Sequence, residues 1–231
     1  MRAILRDGLR ALGLDGDGAE PLSRFADMVL ERNRVMNLTA ITDPADFARL
    51  HLLDSAALLT LPELSGGRVV DVGTGAGFPG VPLALLRPDL RLTLLDSTRK
   101  RVAFLAESCQ ALGLDDVDCV CARAEEFARG EREGFDLAVS RAVAAMPVLC
   151  ELCLPLVRVG GRFLAMKSTR SDAELAAARR AIETLGGALA RVADYTIPGS
   201  DVTHRVVIVE KVGPTPPAYP RAFGQIRKKP L

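Results

Sequence analysis

Along the first sixty residues apolar positions recur at helical spacing. Leu22, Phe25, Met28, Val29 and Met36 form one stripe, with Arg24, Asp27, Glu31 and Arg34 between them, which predicts an amphipathic helix with one buried face. A second helix is predicted in "TDPADFARLHLLDSAALL". Asp43 can cap it, Pro44 suits its first position, Asp46 complements its amino terminus, and it should run to about Thr60. After the "SGG" of Ser65 to Gly67 the pattern changes to short apolar runs alternating with helical stretches. Strands are predicted near Arg68 to Val72, Arg91 to Leu95, Asp118 to Cys121, Asp136 to Val139 and Arg162 to Met166, with helices such as "PGVPLALLR" and "TRKRVAFLAESCQALG" between them.

Strands separated by crossover helices imply a parallel, doubly wound α/β sheet. Two later runs, Arg191 to Tyr195 and His204 to Val212, flank the turn-rich "TIPGSD" and predict a closing antiparallel hairpin. The chain thus divides into a helical extension (1–64), a Rossmann-like core (65–212) and a basic, proline-rich tail (213–231), within one structural domain. The tail carries Arg221, Arg227, Lys228 and Lys229 and no acid. It reads either as a solvated terminus or as an anion-binding arm.

Composition narrows the function. With a formal net charge of +1, the molecule has no bulk attraction for nucleic acid or anionic lipid, so any such partner must meet a local patch. "LLDSAALLTL" is broken by Asp54 and "MRAILRDGLRALG" is studded with charge, so neither a membrane span nor a signal peptide is expected and the chain reads as cytoplasmic. The five cysteines are an odd set. Cys119 and Cys121 lie in a strand-like run and Cys150 and Cys153 in a helical one, contexts that favour core packing over zinc, and no metal is expected.

The candidate chemistry sits in "VVDVGTGAGFPG", Val69 to Gly80. Gly75-x-Gly77-x-x-Gly80 formally matches the dinucleotide fingerprint, so a nicotinamide or flavin enzyme is the first rival. Charge separates the readings: a pyrophosphate is repelled by a neighbouring carboxylate, whereas S-adenosylmethionine brings a sulfonium and an ammonium. Asp71 at the end of its strand therefore favours the cationic cofactor. Asp96, ending the second strand, is placed to accept hydrogen bonds from ribose hydroxyls, and Ala124 and Glu125 follow the third strand where a base would lie. Glu125 reads equally well as an ordinary acid in a helix first turn.

After the fourth strand comes "FDLAVSRAVAAMP". It lacks the Asn/Asp-Pro-Pro-aromatic element that holds an exocyclic amine and the Pro-Cys nucleophile that attacks a pyrimidine. His51 and His204 read as structural or exposed, so no general base is evident. An acceptor such as guanine N7, whose lone pair is free at neutral pH, requires none, and alignment can carry the reaction.

"NLTAI" (Asn37 to Ile41), "HLLDS" (His51 to Ser55), "DVGTGAGFPGVPLAL", "LLDSTRKRVAFL", "SRAVA" (Ser140 to Ala144), "GGRFLAMK" and "YPR" occur in the order found in one bacterial family. Over nearly its whole length the chain resembles the 16S ribosomal RNA guanine-N7 methyltransferases, also called glucose-inhibited division protein B. That resemblance implies a Rossmann-like class I S-adenosylmethionine-dependent fold and a target guanine in the decoding region of 16S rRNA, free or within the small subunit. It implies that Gly73 and Phe78 touch the cofactor, that Ala124 and Glu125 lie at its adenosine, and that Arg141 stands between cofactor and acceptor as a positioning group. Asp71, Gly75, Gly77 and Asp96 join the cofactor set from the loop and charge arguments.

Arg99, Lys100, Lys167, Arg221, Arg227, Lys228 and Lys229 are then candidate RNA contacts, although "TRKR" reads equally as a solvated helix face. A monomer is expected. A small-molecule methyltransferase and a ribosome-assembly module that binds cofactor without turnover are the alternatives.

Overall fold

The computed structural model describes residues 1–64 and 66–231; Ser65, the first residue of the expected break, lies outside the described residues. Seven strands form the sheet: β1 (Arg68–Val72), β2 (Arg91–Asp96), β3 (Asp118–Cys121), β4 (Phe135–Arg141), β5 (Val157–Ser168), β6 (Gly187–Thr196) and β7 (Thr203–Lys211). Their order is β3-β2-β1-β4-β5-β7-β6. All pairs from β3 to β5 are parallel, and β7 is antiparallel to both β5 and β6. The expected hairpin is present, but its second strand inserts beside β5 and its first becomes the edge.

Alternation along the central strands feeds two cores. Val69, Leu92, Leu137 and Leu164 pack on one face, and Val70, Ala138, Phe163 and Val209 on the other. The first face is covered by α1 (Arg2–Ala11), α2 (Ala19–Met36), α5 (Gly80–Leu86), α6 (Arg99–Leu112) and a helix between residues 44 and 60. The second is covered chiefly by α8 (Met146–Cys153) and α9 (Asp172–Thr184). The helices before residue 64 therefore share one core with the crossover helices.

The 44–60 helix is not uniform. It opens as α3 (Pro44–Phe47), passes through a π turn (Ala48–Leu53), resumes as α4 (Asp54–Ala56) and ends in a 3₁₀ turn (Ala57–Thr60). Asp43 caps it as expected, accepting from Ala45 and Asp46 N–H at 2.9 Å. A π turn loosens the backbone ladder and releases carbonyls for other partners, and such turns are frequent at functional sites.

The tail is neither a free terminus nor simply an anion-binding arm. Arg132 donates to the carbonyls of Thr215, Pro216 and Tyr219, holding the proline-rich segment down. Short α10 (Phe223–Lys228) buries Ile226 completely against the second core. Arg221 is committed to Glu151, which is fully buried: its backbone N–H and Nε reach Oε1 at 2.9 and 2.8 Å, and Nη2 reaches Oε2 at 2.6 Å.

Candidate active site

Strand order reverses between β1 and β4, and a cavity of about 430 Å³ opens at the carboxyl ends of the strands there. Its floor is the glycine loop. Gly73 and Thr74 N–H both bond Leu95 O, at 2.8 and 3.1 Å, which ties the loop to β2. Gly73 (φ +73°) needs its missing side chain, since a Cβ there would lie 2.5 Å from Val143 Cγ2. Gly75 N–H donates to Asp96 Oδ2 at 3.1 Å, while Asp96 Oδ1 accepts from Thr98 N–H at 2.7 Å. Each carboxylate oxygen keeps acceptor capacity for a ribose hydroxyl. Ala124 and Glu125, the latter nearly buried at the start of α7 (Ala124–Gly130), line the same side, and Phe223 from α10 closes it under the Arg123 guanidinium.

Two of the expected cofactor residues lie beneath this cavity instead. Asp71 is fully buried; its Oδ2 accepts from Thr74 Oγ1 at 2.7 Å and from Gly80 N–H at 2.8 Å. Burial pushes its carboxyl up to about 6 against the pull of those two donors. Gly77 turns toward the core, where a Cβ would meet Val81, Leu105 and Phe25 at 2.8–2.9 Å. Both residues brace the loop rather than face a ligand.

The position of Asp71 nevertheless discriminates between cofactors. Its carboxylate occupies the amino end of α5, where the fingerprint would seat a pyrophosphate. A negatively charged group already in place there disfavours a dinucleotide, and nothing in that argument opposes a cationic cofactor with an adenosine on Asp96.

At the β4 end stands Arg141, only 14% exposed at its side chain. It lies over the Phe78 ring at 5.0 Å and donates through Nη1 to Leu50 O at 3.1 Å and Asp54 Oδ2 at 3.0 Å. The Leu50 carbonyl belongs to the π turn. Nη2 meets His51 Nδ1 at 2.9 Å. Because arginine only donates, His51 must accept at Nδ1 and carry its proton on Nε2, which then donates to Thr39 Oγ1 at 2.7 Å. Burial, reinforced by the Arg141 charge, lowers the His51 pKa to about 3, and its ring stacks on Phe78 at 4.7 Å.

Asp54 completes the cluster. Its Oδ1 accepts from Tyr195 OH and His204 Nδ1, each at 2.7 Å. Burial is the strongest single influence on Asp54 and opposes its charge. The His204 hydrogen bond, Arg141 and Tyr195 outweigh it and hold the carboxyl below its ordinary pKa. His204 is raised in turn, chiefly by its bond to Asp54.

Thr39, His51, Asp54, Tyr195 and His204 were not among the expected site residues. "HLLDS" did carry a signal, since His51 and Asp54 are three residues apart and share a helix face. The candidate RNA contacts separate into two groups. Arg99, Lys100, Arg227, Lys228 and Lys229 are exposed. Lys167 is 10% exposed and bonded to Ala144 O and Glu174, so it, like Arg221, is not a free phosphate contact.

The family model for rRNA small subunit methyltransferase G (GidB) matches residues 19–200. A "Ribosomal RNA small subunit methyltransferase G" from Alkaliphilus metalliredigens is 46% identical over 235 residues, covering 100% of this chain and 98% of that protein. The chain belongs to the rRNA small subunit methyltransferase G family.

A relative of the same description from Symbiobacterium thermophilum is also 46% identical, again covering 100% of this chain and 98% of its own length. Among solved structures, TrmN from Thermus thermophilus superimposes with a TM-score of 0.53 at 27% identity, covering 68% of this chain and 48% of that one. An S-adenosylmethionine-dependent O-methyltransferase from Thermotoga maritima gives 0.54 at 17% identity, covering 80% and 71%, which speaks for the fold alone. Family membership and the carboxylate at α5 together set aside the nicotinamide reading. The mostly parallel sheet is the one expected from the strand pattern, and the fold is the Rossmann-like methyltransferase fold that the family resemblance implied.

Proposed function

We propose that this chain transfers the methyl group of S-adenosylmethionine to N7 of a guanine in the decoding region of 16S rRNA. Family membership carries the choice of acceptor, and the Arg141 cluster agrees with it, because the side chains that bond Arg141 are committed to it and to one another rather than free to act as a base. His51 Nδ1 is occupied by Arg141, both Asp54 oxygens are occupied, and burial pushes the Tyr195 hydroxyl above its ordinary pKa. An oxygen or amine acceptor would usually need such a base, whereas guanine N7 attacks with a lone pair already free.

The residues divide the work. Gly73, Gly75 and Phe78 form the close wall against the cofactor; Asp96, Ala124 and Glu125 hold its adenosine. S-adenosylmethionine held there would supply an activated methyl, and attack by the free N7 lone pair would ask no proton transfer of the protein. Arg141 is the positioning group, fixed by three acceptors, with two of its five N–H groups left for ligand. Arg99, Lys100, Arg227, Lys228 and Lys229 meet phosphates around the cavity mouth.

Expression of the chain in a bacterium deleted for its own family member tests this. It should restore 7-methylguanosine to the decoding region of 16S rRNA, and with it sensitivity to streptomycin. Gly73→Ala should restore little, because strain and the Val143 clash weaken cofactor binding roughly tenfold or more, readable by calorimetry. An unmodified 16S rRNA despite soluble, cofactor-binding protein would refute the proposal.

A further inference from the structure

A second cavity of about 400 Å³ adjoins the first, sharing His51, Arg141 and Ala142 with it. It extends past the ends of β4 and β5 to the start of α9, and two independent observations mark it as more than a packing defect. Ser171, on its wall, is 2% exposed, and its Oγ has no hydrogen-bond partner. A buried hydroxyl left unpaired is costly and rare, so such a group signals a missing partner.

The second observation is a polar pair on the same wall. Lys167 Nζ lies 2.6 Å from Glu174 Oε2 and 2.7 Å from Ala144 O, which leaves one ammonium N–H without an acceptor. Glu174 Oε2 also accepts from Met146 N–H at 3.2 Å, and Oε1 stays open. The wall therefore presents a donor beside an acceptor.

We infer that this cavity receives the acceptor base, and that Lys167 and Glu174 select guanine by bonding its O6 and its N1–H. The inference rests on the methyl-transfer reading above. Guanine carries an acceptor, O6, beside a donor, N1–H; adenine carries the reverse pair, an amino group beside N1. The polarity of Lys167 and Glu174 matches the first and opposes the second. Recognition on that edge leaves N7 without a bonded donor, and N7 faces the adjoining cavity across the Arg141 seam. Lys167 thereby changes from an expected phosphate contact to a base-reading group.

Single-turnover transfer tests this with undermethylated 16S RNA carrying either guanosine or 2-aminopurine, which lacks O6 and N1–H, at the methylated position. Against guanosine, Lys167→Met and Glu174→Ala should each lower the rate about tenfold or more, with Glu174→Gln partly rescued by its remaining carbonyl acceptor. Cofactor affinity of every variant should stay within about twofold of wild type by calorimetry, since none lines the cofactor cavity. Against 2-aminopurine, wild type should react slowly and the variants should differ from it by less than about threefold.

Equal penalties on both bases, or variants as fast as wild type on guanosine, would overturn the pocket assignment. RNA left unlabelled by wild type would instead overturn the underlying methyl-transfer reading.

Discussion

His51 is neutral in the folded protein because burial and Arg141 both oppose its charge. Its pKa rises from about 3 to the ordinary value near 6.5 on unfolding, so below pH 6.5 the unfolded chain takes up a proton that the native one refuses. Stability from this group is present at pH 7 and lost as pH falls. Between pH 7 and 5, wild type should lose about 2 kcal/mol more than His51→Gln in urea titrations. Equal losses would mean that the ring is not held neutral against Arg141. Asp71 changes in the opposite sense, taking up a proton on folding between about pH 4 and 6, but it is common to both proteins and cancels.

At this scale the glycine loop and Asp96 were legible because each follows a strand of recognisable period, whereas Arg141 was marked only by the resemblance of "SRAVA" to the family motif. Thr39, Tyr195 and His204 were not legible. Tyr195 and His204 reach Asp54 across 141 and 150 positions, and Thr39 meets His51 only where the chain turns between two helices, so no local periodicity records these bonds. Asp71 and Gly77 were legible as loop residues, but which side of the loop they face depends on α5 and α6 packing below it.

The elements were easier to read than their arrangement. Strand positions followed from apolar runs, and Gly113 ends α6 in the left-handed conformation a C-terminal glycine should adopt, whereas Thr98 precedes it without a side-chain cap bond. The insertion of β7 next to β5 was invisible, since a hairpin looks the same from sequence whichever strand is the edge. The π turn also escaped, because it depends on the carbonyl that Arg141 captures. The tail misled through composition: its charges suggested solvent, but Arg221 answers a buried acid on α8. Arg221→Ala should strand Glu151 and destabilise the protein by about 3–5 kcal/mol in chemical denaturation, far beyond a surface arginine's effect. A change below about 1 kcal/mol would show that the tail is not anchored through this pair.

For the whole molecule, a net charge of +1 means that RNA affinity must come from a local patch, and the proposed phosphate contacts of α10 can be tested directly. The double variant Lys228→Gln/Lys229→Gln should reduce the slope of log affinity against log salt by roughly 0.7–0.9 for each phosphate that is no longer neutralised. Arg221 is excluded from that set, and an unchanged slope would remove α10 from the interface.

The decisive measurement is transfer from methyl-labelled S-adenosylmethionine by the purified chain to undermethylated 16S RNA, offered free, in assembly intermediates and in small subunits, followed by nucleoside analysis. The label should leave as 7-methylguanosine. RNA unlabelled in every form, or label on any other nucleoside, would contradict the assignment.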